Sequence, residues 1–231
     1  MQDVFDYIRR LIDIPSVSGS EHEISFFLER DLRQKGFSVV LQEVTANRSN
    51  VYATHDGFPA KVILCTHIDT VPPFIPSSED GQHIYGRGSC DAKGIIGSMI
   101  WAALALKNAG IKEIGLLFVV GEEVDSIGAN VANALPSVAN YVIVGEPTEN
   151  LLASGHKGGF KFRLTATGKA AHSAYPELGD SAIHRLIALV SELQKLDWGW
   201  DELLESATIN IGTIEGGVAA NVFVHNGTYV P

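Results

Sequence analysis

The chain has 231 residues, 17 of them Lys or Arg and 27 Asp or Glu, so its formal charge is −10, and 45% of it is apolar. That length and apolar fraction suit one large domain or two small ones with a packed core, and the composition excludes disorder, collagen and coiled coil. No run of Lys or Arg is present to displace counterions, so the expected partner is a small molecule or peptide, with no nucleic acid and no membrane.

The first residues, Met1-Gln-Asp-Val-Phe-Asp-Tyr-Ile-Arg-Arg10, mix acids and bases where a signal peptide needs an apolar core. Ser20-Glu-His-Glu23 has the capping-box pattern, and Ile24, Phe27, Leu28 and Leu32 follow at helical spacing until Gly36, which predicts an amphipathic helix capped by Ser20. Three short apolar runs come next: Lys61-Val-Ile-Leu-Cys65, Gly115-Leu-Leu-Phe-Val-Val120 and Tyr141-Val-Ile-Val144. A helix is predicted over residues 92–109, whose apolar stretch 95–106 is too short to span a bilayer. Strands apolar on both faces, alternating with helices, predict an α/β domain with a mostly parallel sheet and helices on both faces. From Phe160 the pattern changes. Phe160, Phe162, Leu164 and Ala166 alternate with Lys161, Arg163, Thr165 and Thr167, the signature of an antiparallel strand with one dry face. A helix over residues 181–196 and a strand over 208–214 complete a smaller α+β domain, so the domains are expected at residues 1–154 and 155–231. Two cysteines, Cys65 and Cys90, are too few for a disulfide framework and fit a reducing, cytoplasmic compartment.

The polar residues that follow the buried strands carry the chemistry. His67 and Asp69 follow the first run, Glu122 and Glu123 the second, and Glu146 the third. Ligands of open α/β sheets bind beyond the carboxyl ends of the strands, so three strands deliver acids and an imidazole to one rim. His67 and Asp69, two apart in extended chain, share a side, and Asp69 can fix the ring so that its other nitrogen meets a metal. Alone, this pair reads more readily as a surface histidine beside a solvated acid. Glu122 and Glu123 point in opposite directions, so one can bind metal while the other acts as general base. Gly86-Arg-Gly-Ser-Cys-Asp91-Ala-Lys-Gly94 is a glycine-rich loop leading into the long helix, and Asp91 there is either its N-cap or a ligand. Cys65 and Cys90 lack zinc spacing and are read as non-ligands. One histidine with several carboxylates suits zinc, cobalt or manganese, and such acids would repel one another without a cation.

Taken as an ordered set, His67-Ile-Asp69-Thr-Val-Pro-Pro, Gly86 to Gly94, Gly121-Glu-Glu123, Gly145-Glu146-Pro-Thr and Gly168-Lys-Ala-Ala-His172-Ser-Ala-Tyr-Pro resemble the two-zinc peptidase and deacylase family. That family includes acetylornithine deacetylase, succinyl-diaminopimelate desuccinylase, aminoacylase and glutamate carboxypeptidase. The resemblance implies that His67 and Glu146 bind one metal, Glu123 the other, and Asp91 both. Asp69 would orient His67, Glu122 would be the general base, and the Asp91–Ala92 peptide would be cis. It further implies a ferredoxin-like lid and dimerisation domain, incomplete here. In a homodimer, His172 of that domain would steady the oxyanion in the partner's site, and Asn221 would contact substrate.

Family members continue past this lid to a late histidine that completes the second metal site. By that resemblance the chain is C-terminally truncated, and His225 is the only histidine after His184. The expected function is metal-dependent hydrolysis of an amide bond in N-acyl amino acids or small peptides, with two Zn2+ per full site, or Co2+ or Mn2+ in their place. The alternative is a non-catalytic metal-binding or dimerisation remnant. A nucleotide-binding domain would need a Gly-x-Gly-x-x-Gly or P-loop sequence after a strand, and none occurs.

Overall fold

The computed structural model describes residues 3–56, 58–134, 137–219, 221–223 and 226–230. It forms two compact units, Met1–Asn150 and Leu151–Pro231, with the division inside the 145–159 loop and slightly before the expected 154/155.

In the first unit the elements are α1 (Val4–Ile12), α2 (His22–Gln34), β1 (Ser38–Thr45), β2 (Arg48–Thr54), β3 (Val62–His67), β4 (Ser78–Glu79), β5 (Ile84–Tyr85), α3 (Lys93–Asn108), β6 (Ile114–Val119), α4 (Ile127–Asn133) and β7 (Tyr141–Val144). Five strands form one sheet in the order β1-β2-β6-β3-β7. The predicted parallel arrangement holds for β6-β3-β7, whereas β1 and β2 pair antiparallel and β2 joins β6 antiparallel, making the sheet mixed. A two-residue link permits no other pairing of β1 with β2, and Asn47, at φ 63°, takes the left-handed conformation that this link needs. β2 escapes a pattern search because Arg48-Ser-Asn opens it with polar residues.

One face of the sheet carries Val39, Val51, Ala53, Leu116 and Phe118, packed on Tyr7 and Leu11 of α1, Leu28 and Leu32 of α2 and Ile96 and Ile100 of α3, all essentially out of solvent. Each buried Val, Leu, Ile or Phe side chain among them contributes roughly 1.5–3 kcal/mol. On the opposite face α4 takes the Gln42 amide through its Val131 carbonyl, so helices lie on both faces, as expected. Helix α1 was not foreseen; its N-cap Asp3 accepts from the Phe5 N–H.

The capping-box expectation for α2 is corrected. Its N-cap is Glu21, which makes no side-chain cap, because the Glu21 carboxylate is taken by Arg48. Asp91 likewise does not cap α3, whose N-cap is Ala92. No helix among the described residues is long and apolar enough to cross a membrane.

The second unit holds β8 (Leu164–Thr167), a 3-10 turn (Pro176–Leu178), α5 (Ala182–Leu193), β9 (Trp200–Asp201), β10 (Glu205–Ser206), β11 (Thr213–Gly216) and β12 (Asn226–Val230). β11-β12-β8 form an antiparallel sheet against which α5 packs, and β9 pairs β10. Ser181 caps α5 by accepting from the His184 N–H. The strand expected from Phe160 begins only at Leu164, because β12 offers ladder partners to residues 164–167 alone, and Phe160 is 86% exposed. For the same reason the strand expected over 208–214 is confined to β11, opposite β12. His225 lies outside the described residues.

Candidate active site

The carboxyl ends of β3 and β6, which are paired in parallel, place His67 and the Gly121-Glu122-Glu123 turn side by side. Ile68 continues the pairing by donating its N–H to the Val119 carbonyl at 2.9 Å. His67 is 1% exposed and Asp69 fully buried. The His67 Nδ1 lies 3.0 Å from the Asp69 backbone carbonyl, with an Asp69 carboxylate oxygen at 3.4 Å. A carbonyl only accepts, so Nδ1 carries the hydrogen and Nε2 presents its lone pair to the rim. There Nε2 meets Asp91 Oδ1 at 2.8 Å and Glu146 Oε2 at 4.0 Å.

Lone pair facing carboxylate is repulsive unless a proton or a cation lies between. In the chain without metal the proton serves: burial opposes charge on His67, but the Asp69 and Asp91 carboxylates outweigh it and push its pKa up to about 9. The two glutamates are driven toward their neutral forms. Burial, with the Asp91 charge close by, raises Glu123 above the ordinary carboxylate range, and burial with Glu122, Asp91 and Glu123 raises Glu146. Burial works against ionising Asp69 too, but hydrogen bonds from His67, Ser18 and the Glu122 N–H prevail and hold it below that range.

One ligand atom each from His67, Asp91 and Glu123 falls within 4.8 Å of the others, the spacing of groups that share a cation. Neither cysteine is in this set: Cys65 is half-buried, its thiol pushed up to about 11 by burial and by Glu146, and Cys90 is exposed. Glu122 is exposed, with its backbone fixed rather than its side chain: its N–H donates to Asp69 Oδ1 at 3.0 Å. The Asp91–Ala92 peptide is cis, as the resemblance implied.

Beneath the turn, Asn50 is fully buried and its Oδ1 accepts the Val120 N–H at 3.1 Å, while its amide donates to Gln42 and to the Gly128 carbonyl. Gly121 sits at φ 73° over Arg48, whose Nη2 would stand only 2.8 Å from any Cβ placed there. Both constraints favour glycine. Asn50, Arg48 and Ser18 carry no local sequence signal, because their partners, Gln42 apart, are 27 to 78 residues away.

In the second unit, His172 is exposed and its Nδ1 accepts the Ala174 N–H at 3.1 Å. The Ser173 N–H donates to the Asn221 carbonyl at 3.0 Å, and His172 bridges Val222, so His172 and Asn221 lie on adjoining segments.

Residues 154–228 match the family model described as the peptidase dimerisation domain of M20. The chain is 48% identical over 222 residues to a peptidase M20 domain-containing protein of Schizosaccharomyces pombe, covering 93% of this chain and 56% of that protein. It is 41% identical over 244 residues to a protein of Aspergillus clavatus named "Probable carboxypeptidase", covering 95% and 59%. The chain therefore spans somewhat more than half the length of these curated relatives. A crystal structure of a tripeptidase from Staphylococcus aureus shares the fold, with a TM-score of 0.70 at 24% identity over 97% of this chain and 64% of that one. With the dimerisation domain matched in the second unit and relatives of that kind along nearly all of its length, the chain belongs to the M20 peptidase family.

Proposed function

We propose that this chain carries the metal-binding site of a metal-dependent hydrolase that cleaves an amide bond in small peptides or N-acyl amino acids. The observation that supports this best is the His67 Nε2 lone pair turned onto Asp91 with Glu123 and Glu146 around it. These are hard oxygen donors with one imidazole, a set that fits zinc, cobalt or manganese, and a cation there would offset the burial and mutual repulsion that raise Glu123 and Glu146. His67, Asp91, Glu123 and Glu146 would hold metal, with Asp91 shared between two ions. A bound divalent ion would polarise the scissile carbonyl and make a water acidic enough to attack at neutral pH.

The chain's own residues supply the rest. Asp69 keeps the His67 ring in the tautomer whose Nε2 lone pair is free. Glu122, exposed at the rim on a fixed backbone, takes the proton of the attacking water and passes it to the departing amine nitrogen. His172 would donate a hydrogen bond to the developing oxyanion from across a homodimer, and Asn221, on the adjoining segment, would contact substrate. The carboxypeptidase and tripeptidase names borne by similar proteins favour peptides with a free carboxylate among the substrates. The experiment is hydrolysis of dipeptides, tripeptides and N-acetyl and N-succinyl amino acids with added Zn2+ or Co2+. Release of free amine that a chelator abolishes supports the reading. Metal uptake with no turnover of any of them, in a chain extended to the relatives' length, favours a non-catalytic remnant.

A further inference from the structure

Asp69 does more than hold an imidazole. Its carboxylate is fully buried and meets four groups from three parts of the chain. Oδ1 accepts the Glu122 N–H at 3.0 Å and stands 3.4 Å from His67 Nδ1. Oδ2 accepts the Glu123 N–H at 3.2 Å and the Ser18 hydroxyl at 2.6 Å. One carboxylate thus ties the end of β3 to the turn after β6, the two segments that bear His67, Glu122 and Glu123.

The Ser18 bond is the shortest of the four. Ser18 is delivered by backbone pairing, not by chance proximity: the Ser18 N–H donates to the Thr70 carbonyl at 3.1 Å and the Thr70 N–H to the Ser16 carbonyl at 3.0 Å. Ser16 Oγ adds a bond to the Ile68 carbonyl at 2.8 Å. Residues 16–18 therefore run as a short parallel strip beside 68–70. The alternative acceptor for the Ser18 hydroxyl, the Thr70 carbonyl, is 3.5 Å away, too long to compete.

We propose that Ser18 is a positioning residue: through its hydrogen bond to Asp69 it sets the distance and angle between His67 and the Glu122–Glu123 backbone. This rests on the metal-hydrolase reading for its functional meaning and on geometry alone for the clamp. Without the hydroxyl, Oδ2 keeps only the 3.2 Å bond to Glu123. A buried carboxylate oxygen that loses its strongest donor re-seats toward others, and both clamped segments move with it.

The test compares the full chain with S18A and S18T by amide hydrogen exchange and by zinc competition against a chromophoric chelator. In S18A the Glu122 and Glu123 amides should exchange about tenfold faster while β6 amides keep their rates. Partners behind a metal ligand typically change affinity by roughly 10- to 100-fold, so Ser18, one step further out, should weaken zinc by about three- to tenfold. S18T, which keeps the hydroxyl, should restore both. Unchanged protection at both amides in S18A overturns the clamp, and so does acceleration spread evenly over β6, which would mark a merely structural loss. Selective loss of protection in a chain whose wild type takes up no zinc leaves the clamp standing and overturns the metal reading. Wild-type zinc uptake with unchanged protection in S18A does the reverse.

Discussion

Arg48 forks onto Glu21, Nε to Oε2 at 2.8 Å and Nη2 to Oε1 at 2.7 Å, and the Glu21 carboxylate is wholly out of solvent. The pair joins the start of α2 to β2 directly under the Gly121 turn. Removing only the cation strands a buried anion, which costs about 3 kcal/mol or more, whereas removing both charges in favour of apolar side chains costs far less. R48M should lose that much stability in urea unfolding, and the double variant E21M/R48M should recover most of it. A loss in R48M below about 1 kcal/mol, the range of an exposed ion pair, would show the pair to be incidental.

Glu122 exposes its side chain while its backbone is tied into the fold, the N–H to Asp69 and the carbonyl to Ser126. E122Q keeps shape and loses the basic lone pairs, so, on the proposed function, it should retain the metal of the wild type while hydrolysis by a chain extended to the relatives' length falls by about a hundredfold or more. Elemental analysis alongside turnover checks both halves of the statement. Near-normal turnover would remove Glu122 from the role of base.

His55 gives the first unit a pH dependence of its own. It is 3% exposed and stacked on Phe37 at 4.4 Å, and among the described residues neither ring nitrogen has a hydrogen-bond partner. Burial, with Lys107 and Lys112 nearby, lowers its pKa below the ordinary 6.5. As pH falls below 6.5 the unfolded chain takes up a proton that the folded chain resists, so stability present above 6.5 is lost as pH falls toward the folded pKa. The slope attributable to this one group is bounded by about 1.4 kcal/mol per pH unit, the value for one whole proton. H55F should flatten the dependence of urea midpoint on pH just below about 6.5. An unchanged slope would assign the effect to other groups.

The sequence made β3, β6 and β7 legible because each is a short run apolar on both faces, and the site was legible because polar residues end those runs. His67, Asp91 and Glu123 do converge, and Asp91 proves to face His67 rather than cap α3. What escaped was set by distant partners. The cap expected of Ser20 fails because Glu21, the residue after it, is drawn into the bond with Arg48, and nothing local to Ser20 announces Arg48. Asp69 lies against His67 Nδ1, but its grip on the Glu122 and Glu123 amides depends on β3 and β6 lying side by side, a tertiary fact. The hairpin of β1 and β2 was hidden by the polar start of β2, and the second unit's strands are shorter than their alternation suggests because β12 pairs only four residues of each neighbour.

The central claim, that the strand-end cluster holds metal, is tested most directly by calorimetric titration of Zn2+ into the chain stripped with chelator. On the proposed assignment, His67, Asp91 and Glu146 would offer three protein ligands to one ion, the usual number for a catalytic zinc, while Glu123 and Asp91 would offer only two to another. One tight and one weak binding event are expected, both lost or greatly weakened in D91A if the Asp91 carboxylate serves both ions. No tight uptake by the wild type, or the same isotherm in D91A, would contradict it.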